Sequence, residues 1–360
     1  MRILAIHPAP AFSVADVHQG WVEAFRELGH TVGDFNLDDR LRSYGMAHMQ
    51  RIQDDAWIKM FDTNQAIWLA AQGILAECFK FNPDVLFVTS GFFVPNEIMG
   101  LCRRKAIKVV LLHTESPYED ERQVRRALYA DVNIVNDPTN LRDFPDGSYY
   151  QPHSYRPAIH HKRPARPEYA SDVCFVGTGY ASRIAFLEAV DWFDVDLCLA
   201  GNWQQLSDDS PLVKHLAHEK DQCLDNTDAH DLYASTKIGL NLYRTEGVGG
   251  AYDGWSIGPR EVEMAAAEVF FLRQPRPEGD ELFGMLPTFS SPKELGDLVR
   301  HWLTRPQERE DAAAEARLAI SGRCFTAAAT RLLDTIGGTD VRDRPVRVGT
   351  NRERAGAGHR

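Results

Sequence analysis

The chain has 360 residues and lacks most of the features that reveal a function at sight. Its cysteines (Cys78, Cys102, Cys174, Cys198, Cys223 and Cys324) are scattered, with no C-x-x-C pair and no zinc-ligand spacing. That argues against a disulfide framework and a structural zinc site, and it predicts reduced thiols in a cytoplasmic protein. No run of about 18 apolar residues occurs, so no helical membrane span is expected. The opening Arg2–Ile6 stretch is far too short for the apolar core of a signal peptide. No short-period repeat appears. Basic charge is also scarce: the formal net charge is −11, the opposite of the footprint of a non-specific nucleic-acid binder. The exception is 339–360, where six arginines stand against three acids among glycines. That composition predicts a disordered, solvated tail.

What is present is ordinary for a soluble globular protein, 44% hydrophobic and 25% charged, and long enough for two cores. In the first half, strands are expected at Ile3–Ile6, Thr31–Leu37, Asp84–Thr89, Lys108–Leu112 and Asp131–Val135. A helix is expected from about Val17 to Leu28, where apolar residues recur at helical spacing, after a loop HPAPAFSVAD. Asp38–Phe61 reads as polar, aromatic and partly helical, and its aromatics suit a helical subdomain or an acceptor pocket. Asn136–Pro167 has no sustained period, and the crossing between halves is placed at 151–170. The second half repeats the plan. Strands fall at Asp172–Val176 and Asp196–Ala200, with helices at Ala181–Val190, within Trp203–Lys220 and at His230–Ser235. Strands alternating with helices predict an α/β fold of two Rossmann-like, doubly wound domains facing a cleft, with ligands at the C-terminal strand ends. The domains are expected at 1–150 and 171–322, followed by a helix at 323–338 that packs back toward the first domain.

The second half centres on Lys237–Leu272, which reads as strand, glycine-rich loop, helix and strand. Pro259 suits the first turn of that helix, and Arg260 and Glu263 share one of its faces. A loop feeding a helix N-terminus suits a phosphate, and it also suits a plain core helix with a surface ion pair. Gly177-x-Gly179 follows a strand, with Ser182 at the third glycine position and Arg183 in the first helical turn. That is either a phosphate turn or a tight strand–helix connection, and it is no nicotinamide fingerprint. Asp194-Val-Asp196 matches a D-x-D metal–nucleotide pattern but precedes a buried strand, and it reads as a false positive. His113, Glu115 and Tyr118 follow a strand. His113 with Glu115 is either an acid–base pair or loop-shaping polarity. Asp16 and His18 follow the first strand's loop, as a base facing the cleft or, for Asp16, a helix cap.

The segments DVCFVGTGYASRIAFLE (Asp172–Glu188), DLYASTKIGLNLYR (Asp231–Arg244) and GPREVEMAAAEVFFL (Gly258–Leu272) together resemble the CgeB-like, spore-maturation-protein-like glycosyltransferases. DELFG, the stretch Thr288–Asp311 and, in the first half, VVLLHTESPYED and ADVNIVNDPTNL extend the likeness. The resemblance implies a GT-B fold and sugar transfer from a nucleotide-sugar donor. The acceptor stays open among protein, glycan, metabolite and modified nucleic-acid base. It implies that Glu263 binds the donor ribose and that Gly177, Gly179, Arg183, Arg244 and Arg260 surround the diphosphate. With no metal and no cofactor beyond the co-substrate, those charges and the helix dipoles would stabilise the departing diphosphate. Asp16 or His18 would be the base of an inverting reaction. Glu268 stands where the family often has glycine, which bears on the donor sugar's surroundings or merely on the surface. A UDP-sugar epimerase of similar architecture and an inactive nucleotide-sugar-binding protein are the alternatives.

Overall fold

The computed structural model describes residues 1–10, 12–47, 49–51, 57–59, 62–246 and 254–338. The basic tail and most of the glycine-rich loop lie outside the described residues. In chain order the first half contains β1 (Arg2–Ile6), α1 (Phe12–Glu27), β2 (Thr31–Phe35), α2 (Leu37–Ala47), β3 (Met49–Arg51), β4 (Trp57–Lys59) and α3 (Thr63–Phe81). It continues with β5 (Val85–Thr89), α4 (Asn96–Arg104), β6 (Lys108–His113), α5 (Asp120–Ala127), β7 (Val132–Val135) and β8 (Tyr149–Tyr150). Six strands form one parallel sheet in the order β2-β1-β5-β6-β7-β8, and β3 and β4 pair antiparallel as a separate ribbon. Every residue of β5, β6 and β7 is buried, as unbroken apolar strands covered on both faces by helices must be.

The second half runs β9 (Ser171–Val176), α6 (Ala181–Glu188), β10 (Leu197–Ala200), α7 (Asn226–Ser235), β11 (Thr236–Asn241), α8 (Pro259–Ala266), β12 (Phe271–Arg273), α9 (Pro277–Leu282), α10 (Pro292–Leu303), α11 (Pro306–Ala319) and α12 (Phe325–Gly338). Its parallel sheet has the order β10-β9-β11-β12. Each sheet therefore reverses its strand order once, between β1 and β5 in the first and between β9 and β11 in the second. Such reversals open a crevice at the strands' carboxyl ends.

The second half carries its own large core, built around Phe175, Trp203, Met264, Phe271 and Phe283. α12 belongs to the first half instead. Phe325, Ala328, Ala329, Leu332 and Ile336 pack with Ile3, Trp21, Phe25 and Phe87. Gly20 permits this approach, because a Cβ there would stand 2.3 Å from the Phe325 ring. The chain thus crosses between halves twice, and the crossings touch where Tyr155 bridges Cys324.

Two sequence expectations change. The first helix begins at Phe12, so Asp16 sits inside α1 rather than at its cap. Between Trp203 and Lys220 only one 3-10 turn forms, at Val213–His215. The Ser207–Ser210 stretch satisfies its backbone locally: the Ser207 Oγ accepts from the Asp209 N–H and the Ser210 Oγ from the Leu212 N–H. Such side-chain bonds compete with helix.

Candidate functional site

A cavity of about 320 Å³ lies between the halves at the β9/β11 reversal. Gly177, Thr178 and Tyr180 come from the turn between β9 and α6, and Asn241, Tyr243 and Arg244 follow β11. Gly258–Arg260 open α8, and Thr114–Ser116, Tyr118, Asn136 and Asp137 enter from the first half. Pro259 occupies the first turn of α8, and the Glu261 carboxylate folds back to accept the Gly258 N–H at 2.8 Å, fixing the helix start toward the cavity.

Arg260 ties the two central strands together. Its Nε donates to the Val176 carbonyl at 2.7 Å and a terminal nitrogen to Asn241 Oδ1 at 2.6 Å, while its plane lies 4.8 Å from the Phe175 ring. Gly177 leaves room for it, since a Cβ there would be 2.4 Å from the guanidinium. Arg183 donates to the Thr178 carbonyl at 3.0 Å and also faces Phe175. Burial, with Arg260 next to it, pulls its pKa down to about 9. Neither Arg183 nor Arg260 has a carboxylate partner among the described residues, and Arg183 Nε and Asn241 Nδ2 are buried with no partner at all. Buried polar groups are normally satisfied, so these donors are available to an acceptor that enters the cavity. Arg244 differs: it pairs with Glu115 across the halves at 2.8 Å and lies over Tyr118 at 4.2 Å. Burial raises the Glu115 pKa against the pull of Arg244.

The structure gathers Glu115, Tyr118, Gly177, Arg183, Arg244 and Arg260 around this cavity and leaves Asp16, His18, His113, Gly179, Glu263 and Glu268 outside its lining. Gly179 packs beneath it, because a Cβ there would meet the Trp203 ring at 2.4 Å. His18 is sealed in the first half, with Nδ1 3.1 Å from Thr89 Oγ1 and Nε2 3.0 Å from Asp34 Oδ1. His113 is fully buried and bonded to Asn133 at 3.0 Å, and burial lowers its pKa to about 4. It therefore stays a neutral part of the sheet and does not pair with Glu115. Asp16 is bound by Arg156, which also holds Glu23 at 2.6 Å. Glu268 takes a left-handed backbone at φ 55°, a conformation that favours glycine, and its side chain pairs with exposed Lys162 at 2.8 Å. It lines a separate surface pocket with Lys162 and is not among the residues around this cavity.

Glu263 faces another cluster. Its carboxyl, that of Asp16 and the His160 ring bring ligand-type atoms within 4.8 Å of one another. His160 Nδ1 accepts the Arg156 backbone N–H at 3.1 Å, and burial holds the ring neutral with its pKa near 3. Its proton therefore sits on Nε2. A metal-bound imidazole needs the reverse polarity, donating from one nitrogen and binding through the other, so this cluster suits shared protons better than a cation. Burial, then the Asp16 charge, pushes the Glu263 pKa up to about 8.

Sequence reasoning missed Arg276, Asp137 and His153, which come from loops far apart in the chain. Arg276 opens α9 from a Pro-Arg-Pro step, with no helical face to flag it. Asp137 Oδ2 accepts the N–H groups of Trp255 and Ser256, both at 2.9 Å. His153 lines the cavity as a neutral ring, its pKa lowered to about 4 by burial.

Residues 183–332 match a family model described as glycosyl transferase-like. No curated protein matches the chain. Among solved structures, sucrose-phosphate synthase from Thermosynechococcus elongatus shares the fold at TM-score 0.62 and 12% identity, over 94% of this chain and 98% of that one. An E. coli structure described as trehalose-6-phosphate bound with UDP-2-fluoro glucose aligns at TM-score 0.61 and 9% identity, over 94% and 99%. A putative UDP-N-acetylglucosamine 2-epimerase from Listeria monocytogenes aligns at 0.59 and 15%, over 93% and 95%. The chain has the GT-B fold, and no helix among the described residues is long and apolar enough to cross a membrane.

Proposed function

We propose that the chain is a cytoplasmic, CgeB-like glycosyltransferase that moves a sugar from a nucleotide-sugar donor to a separate acceptor. The carrying observation is the pair Arg183 and Arg260: two guanidiniums that form no ion pair among the described residues, set at the strand reversal within the stretch that matches the glycosyl transferase-like model. In this reading the diphosphate lies against Arg183, Arg244 and Arg260 and the N-terminus of α8. Preorganised positive charge there stabilises the leaving diphosphate without a metal. Glu263 lies one turn beyond Arg260, facing Asp16 and His160, and by the family resemblance it would bind the donor ribose. Among Asp16, His18, His113 and Glu115, the residue that lines the cavity is Glu115, and Arg244 holds it in place.

A panel of nucleotide sugars and nucleoside diphosphates, titrated calorimetrically and followed for hydrolysis, tests the reading. At least one nucleoside diphosphate should bind, and Glu263→Ala should weaken it while the fold survives. Absence of binding by every member would overturn the reading. An epimerase shares the same fold, as the Listeria structure illustrates. Turnover of a UDP-sugar to its epimer with no acceptor present would favour that alternative. Tight binding without turnover on any acceptor would favour an inactive binding protein.

A further inference from the structure

The cavity has a second cationic wall that the diphosphate does not need. Arg276 stands across Tyr243 and Tyr118 from the Arg183–Arg260 pair. Its guanidinium lies 4.1 Å from the Tyr243 ring centre and donates to the Tyr118 hydroxyl at 2.9 Å and, at 3.4 Å, to the Ser256 carbonyl. The residue is 7% exposed. Those two bonds occupy two of the five N–H groups a guanidinium carries, and no carboxylate pairs with it among the described residues. Asp137 lies on the same side, but its oxygens are committed: Oδ2 to the Trp255 and Ser256 N–H groups, Oδ1 to the Thr139 N–H at 2.8 Å.

Arg276 also lines an adjoining cavity, together with Pro138, Trp255, Pro275 and Phe289, whereas Arg183 and Arg260 do not. Tyr243, Arg244 and Arg276 form the wall between the two spaces. A molecule in the second space thus meets a guanidinium fork that makes no ion pair among the described residues, on the side facing the diphosphate site. A buried guanidinium that forms no ion pair among the described residues keeps donor capacity for an incoming anion.

We propose that Arg276 is an oxyanion-binding residue for the acceptor, so that the acceptor carries a phosphate or a carboxylate. The proposal rests on the donor reading above for which wall holds the diphosphate. It adds the substrate class on the other wall.

The test uses the full chain with and without saturating UDP, titrated with inorganic phosphate, glucose 6-phosphate, glucuronate and glucose, and read by ligand-observed NMR. With UDP present, at least one anionic ligand should bind about tenfold or more tightly than glucose, and which one it is separates phosphate from carboxylate. Arg276→Gln should bring that preference to within about twofold. Arg276→Lys keeps the charge but loses the fork, and it should fall between. Circular dichroism and a urea transition check that each variant is folded, and the lysine variant serves if the glutamine one is not. Absence of any anion preference in the native chain, or a preference unchanged in both variants, would overturn the proposal. If UDP does not bind, the donor reading fails separately. The titration without UDP then decides, with Arg260→Ala marking anions held at the other wall.

Discussion

The two sheets present the same topological opening and fill it in opposite ways. At the β1/β5 reversal, His18 bonds Thr89 at the end of β5 and Asp34 on β2, the strand on the other side of β1, so both ring nitrogens are spent inside the protein. At the β9/β11 reversal, Arg260 also spans two strand ends, through the Val176 carbonyl and Asn241, but it forms no ion pair among the described residues, although its charge reaches Glu261 and Glu263. The first opening is a closed hydrogen-bond circuit, which rigidifies and offers nothing to a ligand. The second is held in shape by a guanidinium that is in no such ion pair. Topology makes both openings available, and charge bookkeeping inside the protein distinguishes the one that has work left for a ligand.

The largest effect expected on binding is the contrast between Arg260→Ala and His18→Leu. The first should weaken UDP binding on the order of 30-fold or more, the value of losing charge-assisted bonds to phosphate. The second should leave UDP affinity within about twofold and instead cost about 1–3 kcal/mol of stability, because Thr89 and Asp34 lose a buried partner. Calorimetry and urea unfolding read the two numbers. Equal losses of UDP affinity in both variants would break the contrast.

A pH series sharpens it. Glu263 keeps its proton in the folded chain up to a pKa of about 8, against an ordinary 4.5. Between those values the folded state binds more protons than the unfolded one, so stability falls as pH rises from about 5 to 8 and levels off above. Glu263→Gln should flatten that slope, removing about 4 kcal/mol of pH dependence across the window, as read by thermal or urea transitions. An unchanged slope would remove Glu263 from the interface chemistry. The smallest effect concerns Glu268→Gly. It relieves the positive φ and gives up an exposed ion pair, for a net gain of about 0.5 kcal/mol, with UDP binding unaltered.

The doubly wound plan was legible because β5, β6 and β9 are short apolar runs between helical periods, and Pro259 announced α8. Arg183, Arg244 and Arg260 were legible because each sits within a few residues of a strand end or a helix start. Arg276, Asp137 and His153 were not, because only tertiary contacts bring a Pro-Arg-Pro step, an Asp-Pro turn and a crossing segment to one cavity. His18 and His113 misled for a related reason. Strand ends collect functional groups in general, yet nothing local reveals that Asp34 and Thr89, or Asn133, stand ready to consume the ring. The start of α1 was missed because prolines and a Phe-Ser step masked a helix that its packing against α12 stabilises.

The return of α12 to the first half has a mechanical consequence. Pulled from Met1 and Ile336, the molecule would feel the load between β1 and α12, within a single core. The second sheet hangs from that core as a doubly tethered loop whose tethers meet at Tyr155 and Cys324. Tension on the ends should therefore strip α12 from α1 first, through the Trp21–Phe325 contact. Until the Tyr155–Cys324 bridge gives way, the second half should keep its shape and its cavity wall under a force that already unravels the first.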